Sequence, residues 1–295
     1  MIMFTTLTLL LMLIGFVVGY AFFGDPLTFT LLFLILAGII NFVSYEFSDR
    51  FVLWSTHAKI ITEAQNPELF SIVRKVADEA RIPMPRVGIV ESAQPNAFAT
   101  GKGPSKAVVV ATTSILKLLT PSELEAVIGH EISHVTHRDV LVSSIAATIT
   151  GAISYIGQMV IWSSFFGGFG NNRGRGNNDG SYFIFAIIAA ILVPIAAMLV
   201  QLGISRSRET AADEAGARLT QKPQELVNAL RKISSTANAK QWNRANAPSP
   251  STSSLWIVNP LKGASMAGLF STHPPLQKRI KDLQKVGLEL GVIVT

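Results

Sequence analysis

The sequence predicts a membrane α+β protein: two apolar helical hairpins, four spans in all, attached to a polar α+β portion built on one metal-binding helix. Three observations carry that prediction. Of the 295 residues, 49% are apolar and only 15% are charged, against about 25% charged in ordinary soluble domains. Charge-free runs long enough to cross a bilayer recur in two pairs. Between the pairs, residues 121–139 read PSELEAVIGHEISHVTHRD and place H-E-x-x-H at His130 to His134.

Taken in order, Phe4 to Phe23 carries no charge and matches the roughly 20 residues a spanning helix needs. It lacks the basic start and small-residue cleavage site of a secretory signal. Gly24-Asp25-Pro26 makes a tight turn, and Leu27 to Val43 forms a second span, so residues 1–45 are an N-terminal transmembrane hairpin. At Glu46 the composition turns polar, and 46–139 read as the first part of a soluble α+β domain. Leu69, Ile72, Val73 and Val76 recur at helical spacing over Pro67 to Arg81, which Pro83 and Pro85 end. Arg86 to Glu91 and Ala107 to Ala111 are expected as strands, with Asn96 to Gly101 a third strand or a turn. After the metal helix, Val140 to Phe166 and Tyr182 to Ile204 form the second pair of spans within 140–204, joined by a Gly/Asn-rich outer loop at 167–181. Residues 205–295 supply the second part of the polar domain, with a Ser/Pro/Ala linker at 243–253 and a last helix over Pro275 to Leu290.

Charge narrows the function classes. The net charge is +6, but the basic residues are dispersed among acids, without a Lys/Arg block or an aromatic-interleaved stripe, which argues against nucleic acid as a partner. The chain has no cysteine, so a metal must rest on His and carboxylate, and the polar portion suits a reducing cytosol. Arg50, Lys59, Lys117, Arg138, Arg206, Arg208 and Arg218 lie near the spans on the side of the metal helix, and only Arg173 and Arg175 on the other. The excess of positive charge places the polar domain and both termini in the cytoplasm.

Two histidines four apart on one helical face can hold one zinc ion, with Glu131 beside them to handle protons. Three of the five histidines sit in this helix, and His137 shares the stripe. Seven residues of helix rise about 10.5 Å, however, while zinc–nitrogen bonds are about 2.1 Å, so His137 points past an ion held by His130 and His134. Glu209, within SRSRETAAD at 205–213, is the better third ligand. Asp213 stands one turn further on, placed to accept the outer N–H of His130 or His134. At 1.5 Å per residue His134 and His130 stand about 10–16 Å from the membrane boundary and Glu209 about 8 Å, heights that two antiparallel helices would bring together.

H-E-I-S-H, the downstream R-E-x-x-A-D-E-x-G-A, four expected spans and the C-terminal S-T-H-P-P-L-Q-K-R-I together resemble the M48 family of membrane zinc endopeptidases over essentially the full length. More narrowly, they are similar to its HtpX-like heat-shock proteases of membrane quality control. The resemblance implies a gluzincin-type protease domain with one Zn2+ on His130, His134 and Glu209 and with Glu131 as catalytic acid/base. It implies that Asn96, Ala97, Phe98, Ala99 and Thr100 line the substrate cleft as an edge strand. His273 is expected near the cleft as a second catalytic residue, a donor to the developing oxyanion, with Arg279 orienting it or a carboxylate. One departure is His137, where the family usually shows Asn before Arg138-Asp139. The implied partners are unfolded or membrane protein substrates, the lipid bilayer and other quality-control proteases; the implied location is a multi-pass protein of the cell membrane, active in the stress response. Two other readings compete. A CAAX-type protease trimming lipid-modified C-terminal peptides would need an enclosed chamber, for which four spans are few. A non-catalytic, zinc-stabilised membrane scaffold would close its ion with four protein ligands and would not need Glu131.

Overall fold

A computed structural model describes residues 2–139, 202–239 and 274–295. The expected third and fourth spans up to residue 201, the outer loop at 167–181, the linker at 243–253 and His273 lie outside the described residues. The chain divides into two compact units, one of Met1–Ser44 with Val142–Ile204 and one of Tyr45–Leu141 with Ser205–Thr295.

In the first unit, α1 (Ile2–Val18) ends in a π-turn over Gly19–Phe23, and Gly24, at φ 68°, reverses the chain. The Asp25 carboxylate accepts the Thr28 N–H at 3.1 Å and starts α2 (Pro26–Ser55). Gly15 and Gly19 let the two helices touch. A Cβ at Gly15 would lie 2.6 Å from the Phe29 carbonyl oxygen, and one at Gly19 would lie 2.6 Å from that of Asp25, the close approach that small residues four apart permit. Leu11 and Ile14 bury against Ala37, while Leu13, Phe16, Leu31, Ile35 and Ile39 face outward. Among the described residues no helix is long and apolar enough to cross a membrane.

The composition change at Glu46 is not a break in the backbone: α2 continues to Ser55. Its last turns belong to the second unit, where Glu46 pairs with Lys102 at 2.8 Å and Asp49 with Arg86 at 3.2 Å. Composition reports a change of surroundings, and a helix can run through one.

The second unit is built on a four-stranded sheet ordered β1-β2-β4-β3, with β1 (Lys59–Ile60), β2 (Arg86–Val90), β3 (Ala97–Thr100) and β4 (Val108–Thr112). β2 and β4 are parallel, and β3 and β1 are antiparallel to their neighbours. The undecided segment at 96–101 is therefore a strand, and among the described residues β3 pairs only with β4. Alternation sorts its side chains: Phe98, Val108 and Val110 pack with Val52 and Leu53 of α2, whereas Ala97, Ala99, Val109 and Ala111 join the main core on the other face.

That core gathers α3 (Pro67–Glu79), the short α4 (Thr113–Leu118), α5 (Pro121–Thr136), α6 (202–220), α7 (Pro223–Ala239) and α8 (Leu276–Leu290). α5 is its axis and is buried along nearly its whole length. A capping box starts it: Thr120 accepts the Glu123 N–H at 3.3 Å, and the Glu123 carboxylate accepts the Thr120 N–H at 2.8 Å, with Pro121 in the first turn. α5 and α6 meet at two glycines. A Cβ on Gly216 would stand 2.6 Å from the His130 amide nitrogen, and one on Gly129 would stand 2.5 Å from Thr220.

Backbone atoms on the opposing helix cannot give way as a flexible side chain can. Gly216→Ala is therefore expected to force α6 off α5 and to destabilise the unit by about 1–3 kcal/mol, the usual cost of overpacking. A fall in apparent melting temperature together with lost metal binding is the expected result; a variant matching the parent in both would show that the helices have room to spare.

Candidate metal centre

The α5–α6 crossing brings three predicted ligands into one cluster. His130 and His134 project from successive turns of α5, and Glu209 projects from α6. Their ligand atoms all lie within 4.8 Å of one another, with His130 and Glu209 buried. The two Nε2 atoms are 3.2 Å apart. Glu209 Oε2 lies 3.6 Å from His130 Nε2, and Glu209 Oε1 lies 3.5 Å from His134 Nε2. Tetrahedral zinc with bonds of about 2.0–2.2 Å has ligand–ligand edges of roughly 3.3–3.6 Å. The triangle thus already has the dimensions of three corners of a zinc tetrahedron, and the residues fit the ion.

The outer nitrogens of both rings explain the orientation. His130 Nδ1 stands 2.9 Å from Asp213 Oδ1, and His134 Nδ1 stands 2.9 Å from Asp139 Oδ2. His134 Nδ1 is hydrogen-bonded to Asp139, and His130 Nδ1 lies beside Asp213 without hydrogen-bond alignment; with both outer nitrogens next to carboxylates, the two Nε2 atoms face inward and face each other, an arrangement a cation would relieve. Asp213 is itself gripped by Arg279 of α8, whose Nε and Nη2 donate at 2.7 and 2.6 Å. Both partners are almost fully buried. The expected link from Asp213 to a histidine therefore falls on His130, and the carboxylate that Arg279 orients is Asp213.

Glu131 points toward the sheet, where its Oε2 accepts the Ala99 N–H of β3 at 3.0 Å. Burial lifts the Glu131 pKa above the usual carboxylate range, even though His130 and His134 pull it down; Glu209 adds to the rise. Asp213 also suffers burial, but the Arg279 charge and the His130 contact hold it below the usual range.

The predicted cleft residues separate by direction. The Asn96 carbonyl accepts the Thr112 N–H at 2.9 Å and the Asn96 N–H donates to Thr112 Oγ1 at 2.9 Å, so Asn96 faces β4. By antiparallel alternation Phe98 and Thr100 do the same, while the backbones of Ala97 and Ala99 face the outer edge. His137 stands outside the cluster; its Nδ1–H donates to the Ser133 carbonyl at 2.7 Å.

Asp139 and Arg208 join the cluster without any sequence signal that singles them out. A helix puts Asp139 about 140° around from His134, and nothing in the pattern shows that the helix has already ended. Gly129 and Gly216 were missed as well, because a contact between two elements leaves no periodic trace in either.

Burial disfavours the charged form of His134, but the Asp139 hydrogen bond and the charges of Glu209, Glu131 and Asp139 outweigh it and raise its pKa from 6.5 to about 9. A cation held by these residues would compete with that proton. A raised folded-state pKa contributes stability that is complete below pH 6.5 and lost as pH climbs to about 9. Zinc affinity should move oppositely, since binding must expel that proton. Melting curves with zinc and with chelator are expected to diverge as pH rises from 6.5 to 9; curves that stay parallel would remove this proton–metal competition.

Comparison with known proteins gives concordant results. Residues 63–286 match the model of Peptidase family M48. A "Protease HtpX homolog" of Thermococcus kodakarensis is 45% identical over 291 residues, covering 99% of this chain and 96% of that one. A protein of the same description from Thermodesulfovibrio yellowstonii is 48% identical over 251 residues, 85% of this chain and 86% of that one. Among solved structures, the crystal structure of S. mikatae Ste24p matches with a TM-score of 0.57 at 19% identity, covering 92% of this chain and 62% of that chain, a likeness of fold.

Proposed function

The chain belongs to peptidase family M48, and on that premise we propose that it is a membrane-bound zinc endopeptidase of protein quality control, cleaving misfolded membrane and cytoplasmic proteins under stress. The observation that carries the chemistry is the triangle of His130, His134 and Glu209 beside a carboxylate tied to an edge strand. One Zn2+ per chain would be held by those three residues, leaving a fourth position open. When bound, zinc polarises a water and the substrate carbonyl.

The rest is done by this chain. Glu131 takes the proton of the attacking water on one carboxylate oxygen while Ala99 holds the other, and then passes the proton to the leaving amine. Its raised pKa suits a group that must both accept and return a proton. The outward backbone groups of Ala97 and the outward carbonyl of Ala99, whose N–H is taken by Glu131, pair with an extended substrate, as an added strand, and fix the scissile bond against Glu131. His273 is assigned as the oxyanion donor; support comes from Arg279, six residues on, which is bonded to Asp213 at the metal centre.

Membrane attachment is supported by the outward-facing Leu13, Phe16, Leu31, Ile35, Ile39 and Phe42 of the α1–α2 hairpin, which a bilayer would cover. Together with the second apolar pair at 140–204 and the distribution of Arg and Lys, they favour four spans with a cytoplasmic catalytic domain.

Glu131→Gln should lower cleavage of an unfolded protein substrate by about 10²–10⁴-fold with zinc content unchanged, and chelation should abolish the activity of the parent. Parental turnover by the variant would end the protease mechanism given above. Topology has its own measurement: accessibility tags within 171–179 are expected outside the cell and a C-terminal tag inside, and a cytoplasmic tag at 171–179 would overturn the four-span arrangement.

A further inference from the structure

We infer that Asp139 and Arg208 form a positioning pair for His134, delivered by a left-handed turn at Arg138, so that each of the two metal-binding histidines is held by its own carboxylate–arginine couple. The inference rests on the zinc reading of the cluster.

The geometry begins with the end of α5. The helix closes at Thr136, His137 caps it, and Arg138 takes φ 57°, a conformation that L side chains adopt only at a cost. Strain of this kind persists where the surroundings impose it, and it gathers at functional sites. Here its effect is visible. Had α5 continued, Asp139 would lie about 140° around the helix from His134. The turn at Arg138 swings it back, and Asp139 Oδ2 reaches His134 Nδ1 at 2.9 Å in a buried position.

Asp139 does not rest on the histidine alone. Its other oxygen, Oδ1, lies 2.9 Å from Arg208 Nη1, which neutralises a carboxylate that burial would otherwise penalise. Arg208 immediately precedes Glu209 on α6. One helix therefore supplies both a metal ligand and the cation that anchors the orienting group of another ligand. This couple repeats the chain of His130, Asp213 and Arg279, with different elements supplying the parts: the end of α5 and α6 in one, α6 and α8 in the other. The pair fixes the His134 tautomer with Nε2 free, and it docks α6 on α5 by a contact that does not need the ion.

The test is zinc affinity of the full-length, detergent-solubilised chain, read by competition with a chelating dye. Asp139→Asn is expected to weaken binding by about 10–100-fold, to lower kcat with KM little changed, and to shift the visible absorption of the Co2+-substituted protein. Arg208→Gln should give a smaller loss that Arg208→Lys partly restores, and it keeps the test open should Asp139→Asn not fold. The two losses should not add in the double variant, because the residues act in series. Arg138→Val should cost more affinity than Arg138→Gly, since glycine accepts positive φ. Parental affinity and an unaltered Co2+ spectrum in Asp139→Asn, or losses that simply add, would overturn the pair. A parental chain that takes up no zinc at all would instead overturn the metal reading, and this inference with it.

Discussion

Everything at the metal centre depends on how closely α6 can lie against α5. Glu209 reaches the two histidines from a separate helix, and their polar atoms fall within 4.8 Å of one another because α6 lies close against α5. Gly129 and Gly216 provide that contact, with Gly216 set against the amide of His130 itself. The constraint propagates. With α6 at that distance, Asp213 falls beside His130 and Arg208 beside Asp139, and α8 is drawn in because Arg279 must reach Asp213. The apolar core behind α5, from Ile128, Ile132, Leu230 and Leu283, then holds the arrangement from the opposite side.

Charge balance gives the same centre a second logic. Four buried carboxylates, Glu131, Asp139, Glu209 and Asp213, converge on two neutral-capable imidazoles, while Arg208 and Arg279 supply two positive charges. With all four carboxylates ionised and both imidazoles neutral, two negative charges remain, which one divalent cation would offset. Buried charge without a partner is costly, and a divalent cation would balance what remains.

Much of this was legible in the sequence, and the residues that were not have identifiable reasons. His130 and His134 declare themselves because helical spacing is a local rule, and Glu209 with Asp213 repeats the same one-turn spacing. β2 and β4 stand out as β-branched runs, whereas β3 reads equally as strand or turn because Ala97 and Ala99 carry weak strand preference. β1 has only two residues, too few for any pattern. The length of α2 was underestimated because hydropathy reads the medium around a helix and not its hydrogen bonding. Asp139 was hidden by the assumption of a continuous helix, which a single residue at φ 57° invalidates.

The two alanines of β3 have a further consequence. A strand that offers its outer edge through Ala97 and Ala99 presents backbone and almost no side chain, so it contains little with which to read a substrate's sequence. On the proposed function, what it would test is whether a segment has free N–H and C=O groups to offer. A helical or sheet-bound segment must first surrender its own hydrogen bonds, and each 1.4 kcal/mol of local opening free energy removes about tenfold from the fraction available. On the proposed function, a protease of this kind would gauge local stability: the same peptide would be spared in a sound fold and cut in a failing one. Selectivity would then lie in the thermodynamics of the client, and the enzyme could remain indifferent to its identity.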